Sequence, residues 1–415
     1  MSRMRLVLAL ATTLSGLALA GPGMAGQFQD GQAALLAGDY ATALNDWRPL
    51  AKQGNAGAQT GLGLLYEQGT GVPKDDTQAA YWWRLAAKQG DAGAQLGLGY
   101  LYEFGQGVPK DYTLSAHWYR LAAKQGNARA QGALGDLYDH GAGVLKDDTQ
   151  AAHWYRLAAK QGDAGAQLGL GTLYDQGKGV PKDYTQAAHW FRLAAKHGNA
   201  IAQGVLGALY DHGAGVLKDD TRAAYWWRLA AKQGNALAQS SLGYLYDLGR
   251  GVPKDYTQAA HWYRLAAKQG NARAQTGLGI LYDRGAGVLK DDTQAAYWWH
   301  LAAKQGNAIA QISLGLLYEQ GKGVPKDYTQ AAHWFRVAAT QGNALAQLGL
   351  GDLYDQGNGV PQDYAKAYVW FDLAAAGGDL IAANARDLVA RHMTRAELAA
   401  AQRAAETFRP HSAAP

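Results

Sequence analysis

Apolar and polar positions along this chain repeat with a fixed period. A Gly-Asn or Gly-Asp pair followed by Ala or Leu begins at Gly54, Gly90, Gly126, Gly162, Gly198, Gly234, Gly270, Gly306, Gly342 and Gly378, always 36 residues apart, with no insertion or deletion. Within each period, Ala58, Leu62, Leu65 and Tyr66 have identical counterparts in all nine copies. Their offsets of 0, 4, 7 and 8 lie on one side of an α-helix. This first segment, helix A, is predicted over 56–68, with Asn55 (Asn or Asp in every copy) as N-cap and Gly69 and Gly71 as terminators. A second segment, helix B, is predicted over 77–89, with Asp75, Asp76 and Thr77 offering capping oxygens and Gln78 at a capping-box position. Helices of about 13 residues span about 20 Å. The expected fold is all-α: an α-solenoid of antiparallel helix pairs in 36-residue repeats.

Helix B carries two aromatic columns. Trp82 recurs as Trp118, Trp154, Trp190, Trp226, Trp262, Trp298, Trp334 and Trp370; the next position reads Trp83, Tyr119, Tyr155, Phe191, Trp227, Tyr263, Trp299, Phe335 and Phe371, with Trp47 before them. Together these columns hold all 13 tryptophans. Repetition in every unit points to packing between neighbours rather than to one binding site. A glycine in mid-helix costs about 1 kcal/mol against alanine, so Gly63 and its copies are read as permitting close helix approach.

The runs Leu62-Gly63-x-x-Tyr66 and Ala79-x-x-x-Trp83 resemble the tetratricopeptide helix pair. The fuller unit, with Gly69-x-Gly71-Val72-x-Lys74-Asp75 and Ala86-Ala87-x-x-Gly90, is more similar to the Sel1-like repeat, and the resemblance covers Gly54 to about Gly377. It implies a right-handed superhelix of helix pairs serving as an adaptor for protein complexes. Bacterial members are often found in the envelope, some linked to cell-wall or exopolysaccharide assembly. A cysteine-rich branch of the family is associated with penicillin binding, which leaves a cell-wall hydrolase or beta-lactamase-like enzyme as an alternative; a structural rod in an envelope complex is another. This chain has none of that branch's cysteines.

Positions that differ between copies carry the information that the constant ones do not. In helix A these are the columns of residues 57, 60, 61, 64 and 68, which share a side away from Ala58, Leu62 and Leu65. In the implied architecture helices A line the concave surface, so the varying residues are the expected partner-binding set: Tyr100, Phe104, Arg129, Asp136, His140, Ile201, His212, Leu237, Tyr244, Leu248, Arg273, Ile280, Arg284, Ile309 and Leu316. A line of Ile, Leu, Phe and Tyr there suggests protein contact; the competing reading is neutral drift in a duplicated array. A 72-residue alternation of Gly-Val-Leu-Lys-Asp-Asp and Gly-Val-Pro-Lys-Asp-Tyr loops points to such duplication.

The first 25 residues read as a secretory signal peptide: Arg3 and Arg5, an apolar run from Leu6 to Ala20, then Ala18-Leu19-Ala20 and Gly23-Met24-Ala25 as alternative cleavage boxes. Residues 26–53 are expected to form an N-terminal half repeat, 54–377 nine repeats, 378–407 capping helices and 408–415 a disordered tail. In the cap, Thr394-Arg395-Ala396-Glu397 reads as a capping box, with Arg386, Arg391, Arg395 and Arg403 giving a polar outer side. The expected location is the periplasm, with the extracellular space as alternative, and no stable membrane insertion once the leader is removed. The absence of any Asn-x-Ser/Thr acceptor fits a bacterial envelope.

Composition narrows the chemistry. The chain has 415 residues and no cysteine, which removes disulfides, thiolate metal sites, cysteine nucleophiles and a lipid-anchored N-terminus. Its formal charge of +5 falls to +3 without Arg3 and Arg5 (37 basic against 34 acidic residues), and there is no long basic run to hold nucleic acid. His117, His153, His189, His261 and His333 share a helix B column with Tyr81, Tyr225 and Tyr297, which suits amphipathic packing better than metal ligation. Asp75-Asp76 and its copies are explained by capping and lack the spaced oxygens of a calcium loop. No copy carries a Ser, His and acid set absent from the others. The expectation is a protein partner, with peptidoglycan or exopolysaccharide machinery as candidates, no cofactor, no metal and no catalysis.

Overall fold

The computed structural model describes residues 22–408, with side chains from 26 onward. The first 21 residues, which hold most of the expected signal peptide, and residues 409–415 of the expected tail lie outside the described residues.

The chain divides into two compact units, 1–218 and 219–415. The first contains the helix pairs Pro22–Ala37 with Tyr40–Lys52, Ala56–Gln68 with Asp76–Lys88, Ala92–Phe104 with Tyr112–Lys124, Ala128–His140 with Asp148–Lys160, and Ala164–Gln176 with Tyr184–Lys196, and then Ala200–His212. The second contains Asp220–Lys232, the pairs Ala236–Leu248 with Tyr256–Lys268, Ala272–Arg284 with Asp292–Lys304, Ala308–Gln320 with Tyr328–Thr340, and Ala344–Gln356 with Tyr364–Ala376, and the closing helices Leu380–Val389 and Arg395–Phe408 around a 3-10 turn, Ala390–His392. In both units each repeat helix packs on the next in sequence, as an α-solenoid requires, and the last helix, Arg395–Phe408, packs back on Tyr364–Ala376.

Helix boundaries follow from local chemistry. The Asn127 side chain accepts from Ala130 N at 3.0 Å to start one helix A, and Asp163 does the same for Ala166 N at 2.8 Å in the next. Helix A stops at a glycine with φ near +70°, such as Gly141 at 69°. There Ala142 N returns to Leu137 O at 3.0 Å. Helix B begins one residue earlier than expected, at Asp148 in the third repeat, because Asp147 Oδ1 accepts from both Thr149 N and Gln150 N. The backbone N–H of the residue at the expected capping-box position is thus the group being capped. The second glycine of each turn has a separate duty. Gly143 sits at φ +68°, where a Cβ would run into the backbone of Tyr112 and Thr113 in the preceding helix B.

The core is an aromatic ring laid against glycine. Tyr155 is 2% exposed, and a Cβ added to Gly135 would lie 2.6 Å from its ring; one added to Gly169 of the next helix A would lie 2.8 Å from it. The expected close approach at the Gly63 column is therefore made by a ring, and the 61 column supplies the other side of the slot where it too is glycine. Where the ring is Trp, its Nε1–H reaches a helix A carbonyl, as Trp83 does to Thr60 O at 3.1 Å.

The preceding tryptophan column fills its expected core role only in part, with Trp334 and Trp370 buried. Trp118, Trp154 and Trp190 are only half-buried. Each covers the core made by the preceding helix B and helix A: Trp190 packs against Ala151, Tyr155, Leu170 and Leu173. The neighbouring His/Tyr column stacks edge-on to it, as in His153–Trp154 at 5.1 Å and 81°. That matches the packing role expected of those histidines. The constant tyrosine of helix A is also half-buried in most copies, its hydroxyl accepting from the preceding helix B, as in Arg156 Nη2 to Tyr174 OH at 3.2 Å.

The ends depart from expectation in two ways. The N-terminal element is a complete helix pair, because Pro22–Ala37 occupies the place of helix A against Tyr40–Lys52 and begins within the expected leader. At the other end Phe408 belongs to the last helix, its ring 5.7 Å from Trp370. The expected capping box is present, with Thr394 N donating to Glu397 Oε2 at 2.7 Å. Arg386 is tied to Asp372 and Asp387.

The slot predicts a contrast. Gly135→Ala should lower the denaturation midpoint, costing about 1–3 kcal/mol through overpacking against Tyr155. Gly132→Ala, whose Cβ would meet nothing nearer than 3.6 Å, should be neutral or stabilising by up to about 1 kcal/mol. Equal midpoints for the two variants in urea unfolding would remove the ring-on-glycine account.

Candidate functional site

Successive helices A touch one another directly, as Ala128–His140 does with Ala164–Gln176, whereas successive helices B are held farther apart. Helices A therefore form the inner layer within a unit. The expected partner-binding residues do face solvent from it, and none is among the buried residues. Phe104, Asp136, His140, Ile201 and His212 in the first unit are exposed, with Tyr100 and Arg129 half-buried. In the second unit Leu237, Leu248, Arg273, Arg284, Ile309 and Leu316 are exposed and Tyr244 and Ile280 half-buried.

Only some of these come together. Tyr100 and Phe104 pack ring to ring at 4.7 Å. The Arg273 guanidinium lies over the Tyr244 ring at 4.5 Å, a cation–π contact. Arg129 and Asp136 line one cleft of about 650 Å³ in the first unit, built by helices Ala128–His140 and Ala164–Gln176 and the turn at His197 and Asn199. The cleft exists because side chains are missing from its walls. Gly132 stands where the preceding repeat has Leu96, and Gly165 where other repeats carry Arg129 or Ile201. His140 and His212 instead turn back on their own helices, each Nδ1 lying 2.8 Å from the carbonyl four residues earlier.

The sequence-based set included Asp136 but not the slot hydroxyls that meet it and its neighbour Glu103. Where the slot ring is tyrosine, its hydroxyl emerges on the inner face: Tyr155 OH donates to Asp136 Oδ1 at 2.6 Å, and Tyr119 OH to Glu103 Oε2 at 2.7 Å. The available signal was the Tyr, Trp and Phe variation within a column that is otherwise all core. A second signal was the 67 column, acidic in every copy from Glu67 and Glu103 to Asp355.

The cleft shifts its acids. Asp136 is exposed as a residue, but its carboxylate is shielded from water by the cleft walls. That shielding, with Glu103 and Asp163 adding negative charge, raises it to about 6, against the opposing Tyr155 hydrogen bond and His140. Burial also raises Glu103, partly countered by the Tyr119 hydroxyl. Tyr119 and Tyr155 are held far above the usual phenol range by burial and these carboxylates. In the second unit Asp352 is likewise raised to about 6 by burial, Glu319 and Asp355. Among the described residues, no group of three or more His, Asp or Glu could hold a metal ion, and no helix is long and apolar enough to cross a membrane.

Paired helices stacked at constant period, with variation along the inner helix A face, define a helical-repeat scaffold. The Sel1 repeat family model matches nine consecutive segments, 56–91 through 344–379, and the chain belongs to that family. A protective antigen of uropathogenic Escherichia coli with an SLR fold is 34% identical, at TM-score 0.68, over 97% of this chain and 94% of its own. A Sel1 repeat protein of Oxalobacter formigenes is 38% identical, at TM-score 0.56, over 73% of this chain and 88% of its own. No curated protein matches the chain. Sel1 repeat solenoids are generally non-catalytic scaffolds that mediate protein interactions.

The pH dependence of Asp136 follows from linkage. A carboxyl raised from 3.8 to about 6 by folding binds more protons folded than unfolded, so its contribution to stability falls as pH rises from about 4 to about 6. Asp136→Asn should therefore gain Tm relative to the parent chain as pH goes from 4 to 7, while still accepting from Tyr155. A difference in Tm between the two proteins that stays flat over that range would contradict the shift.

Proposed function

We propose that this protein is an exported, non-enzymatic adaptor that holds a protein partner on the inner helix A face. One observation carries the reading: the Ala58, Leu62 and Leu65 columns that build the core never change, while the 57 and 68 columns of helix A vary and expose Phe104, Ile201, Leu237, Leu248 and Ile309 to solvent. Drift alone would leave variation on every exposed surface. Helix B instead varies less outside: its 78 column is Gln in six copies, with Leu114, Arg222 and Lys366 in the other three. Export is supported by the basic and apolar start of the chain, Met1 to Ala25, and by the protective-antigen character of the E. coli relative. A periplasmic place beside peptidoglycan or exopolysaccharide machinery is the setting we favour.

Photo-crosslinking amino acids at Tyr100, Arg129, Leu237 and Arg273, with Gln186 and Gln258 on helix B as controls, test this in intact cells. A discrete protein adduct from the helix A positions alone is the expected result. Adducts shared equally with the control positions, or none from helix A, would end the adaptor reading. Export has its own check: the full chain with a C-terminal tag should fractionate outside the cytoplasm, and removal of residues 1–25 should retain it inside.

A further inference from the structure

Glutamines link consecutive repeats in a buried ladder. Gln95 donates through Nε2 to Ala87 O at 3.2 Å, and its Oε1 accepts from Gln125 Nε2 at 2.8 Å. The same rung joins Gln89 to Gln59 and Gln161 to Gln131, each at 2.8 Å. One rung in the first unit is broken. Position 197 is His, lying against Gly162 and lining the cleft. Gln167 still donates to Ala159 O at 3.1 Å, but its Oε1 has no partner, although the residue is only 3% exposed. By the geometry of the intact rungs, that orphan acceptor faces side chain 197, at the wall of the cleft. A buried acceptor without a donor is costly.

The same cleft holds Asp136, with one oxygen occupied by Tyr155, and Asp163, one of whose oxygens caps the next helix. Glu103 adds charge nearby. The cations around it are Arg129, on the same helix seven residues from Asp136 and so about 10 Å away along the axis, and His140 and His197 when protonated. Acceptors therefore border a space large enough for a side chain and its flanking backbone, Asp136 and Asp163 in its walls and Gln167 behind His197. A guanidinium matches them: it is planar, always charged, and offers five donors in a fixed fork, where an ammonium offers a compact point charge.

We infer that the cleft between Asp136 and His197 receives an arginine side chain from the partner segment, pairing with Asp136 and reaching the acceptors on the His197 side. The inference rests on the adaptor reading and names the chemistry of its partner at this position.

The probe is a capped pentapeptide, acetyl-Gly-Gly-Arg-Gly-Gly-amide, titrated calorimetrically into the full chain beside its lysine and citrulline counterparts and free arginine. The arginine peptide should bind about tenfold tighter than either counterpart, since a charge-assisted hydrogen bond contributes about 1.5–3 kcal/mol. Asp136→Asn should weaken it about tenfold by the same principle. His197→Gln, which restores the rung to Gln167, should weaken it about threefold through loss of one neutral acceptor. Gly132→Leu should abolish binding by filling the cleft. Its column already carries Leu96, Leu168 and Leu348, so the variant keeps its fold, which its Tm checks. Equal binding of the three peptides, no binding of the arginine peptide, or undiminished binding by Gly132→Leu would each overturn the inference. Free arginine binding tighter than the capped peptide would overturn it too, in favour of a small molecule. The adaptor reading is scored separately: a partner adduct from Arg129 that persists in Asp136→Asn and Gly132→Leu leaves it standing while the arginine assignment falls.

Discussion

The structure depends on a flat ring lying directly on helix backbone. Any residue larger than glycine at Gly135 would push Tyr155 out of its slot, and the same geometry recurs at Gly171 beneath Phe191. Close approach lets a 13-residue helix bury a large aromatic with little help from bulky aliphatic neighbours, which is why the rest of the core is alanine and leucine. The cost is a mid-helix glycine in every repeat, about 1 kcal/mol each against alanine. Burial of an aromatic side chain, at about 25 cal/mol per Å² over 150 Å² or more, exceeds it severalfold.

With the core fixed by ring, glycine, alanine and leucine, helix A is free to vary on its inner side. At the 57 and 68 columns, variation changes the surface and leaves the alanine and leucine columns of the core in place. The cleft at Gly132 and Gly165 shows how little is needed: two glycines where other repeats carry Leu96 and Arg129 border about 650 Å³, and one Gln-to-His change at position 197 leaves a buried acceptor beside it. The tyrosines of the slot take part in both layers. Tyr155 packs its ring in the core and delivers its hydroxyl to Asp136 on the inner face, so its identity affects stability and surface charge together.

Most of the fold was legible in the sequence because identical side chains at a constant spacing can satisfy one another only in a stack. The start of helix A at Ala56, its end at Gln68 and the capping roles of Asn55 and Thr394 all follow from side chains adjacent in sequence. What escaped reading depends on distances across repeats. Nothing local tells Trp82, half-buried, from Trp83, fully buried, since the two are neighbours of one type. Likewise the Tyr155–Asp136 pair joins residues 19 apart and the glutamine rungs residues 30 apart. Their residues were visible as columns, but their pairing required the helix packing. The candidate surface was located by its variability, while the cleft within it comes from side chains that are absent.

The second glycine of each interhelix turn gives the array a property of its own. Gly143 rests on the main chain of Tyr112 and Thr113, and Gly179 on that of Asp148 and Thr149. Because the seat is backbone, it is the same whatever side chains the neighbouring unit carries. An in-register excision or insertion of 36 residues within a unit would regenerate the same seat, the same cap and the same ring slot at the new junction. The reach of such a protein is thus a digital quantity, adjustable by whole modules through unequal recombination, while the face each module presents is edited residue by residue.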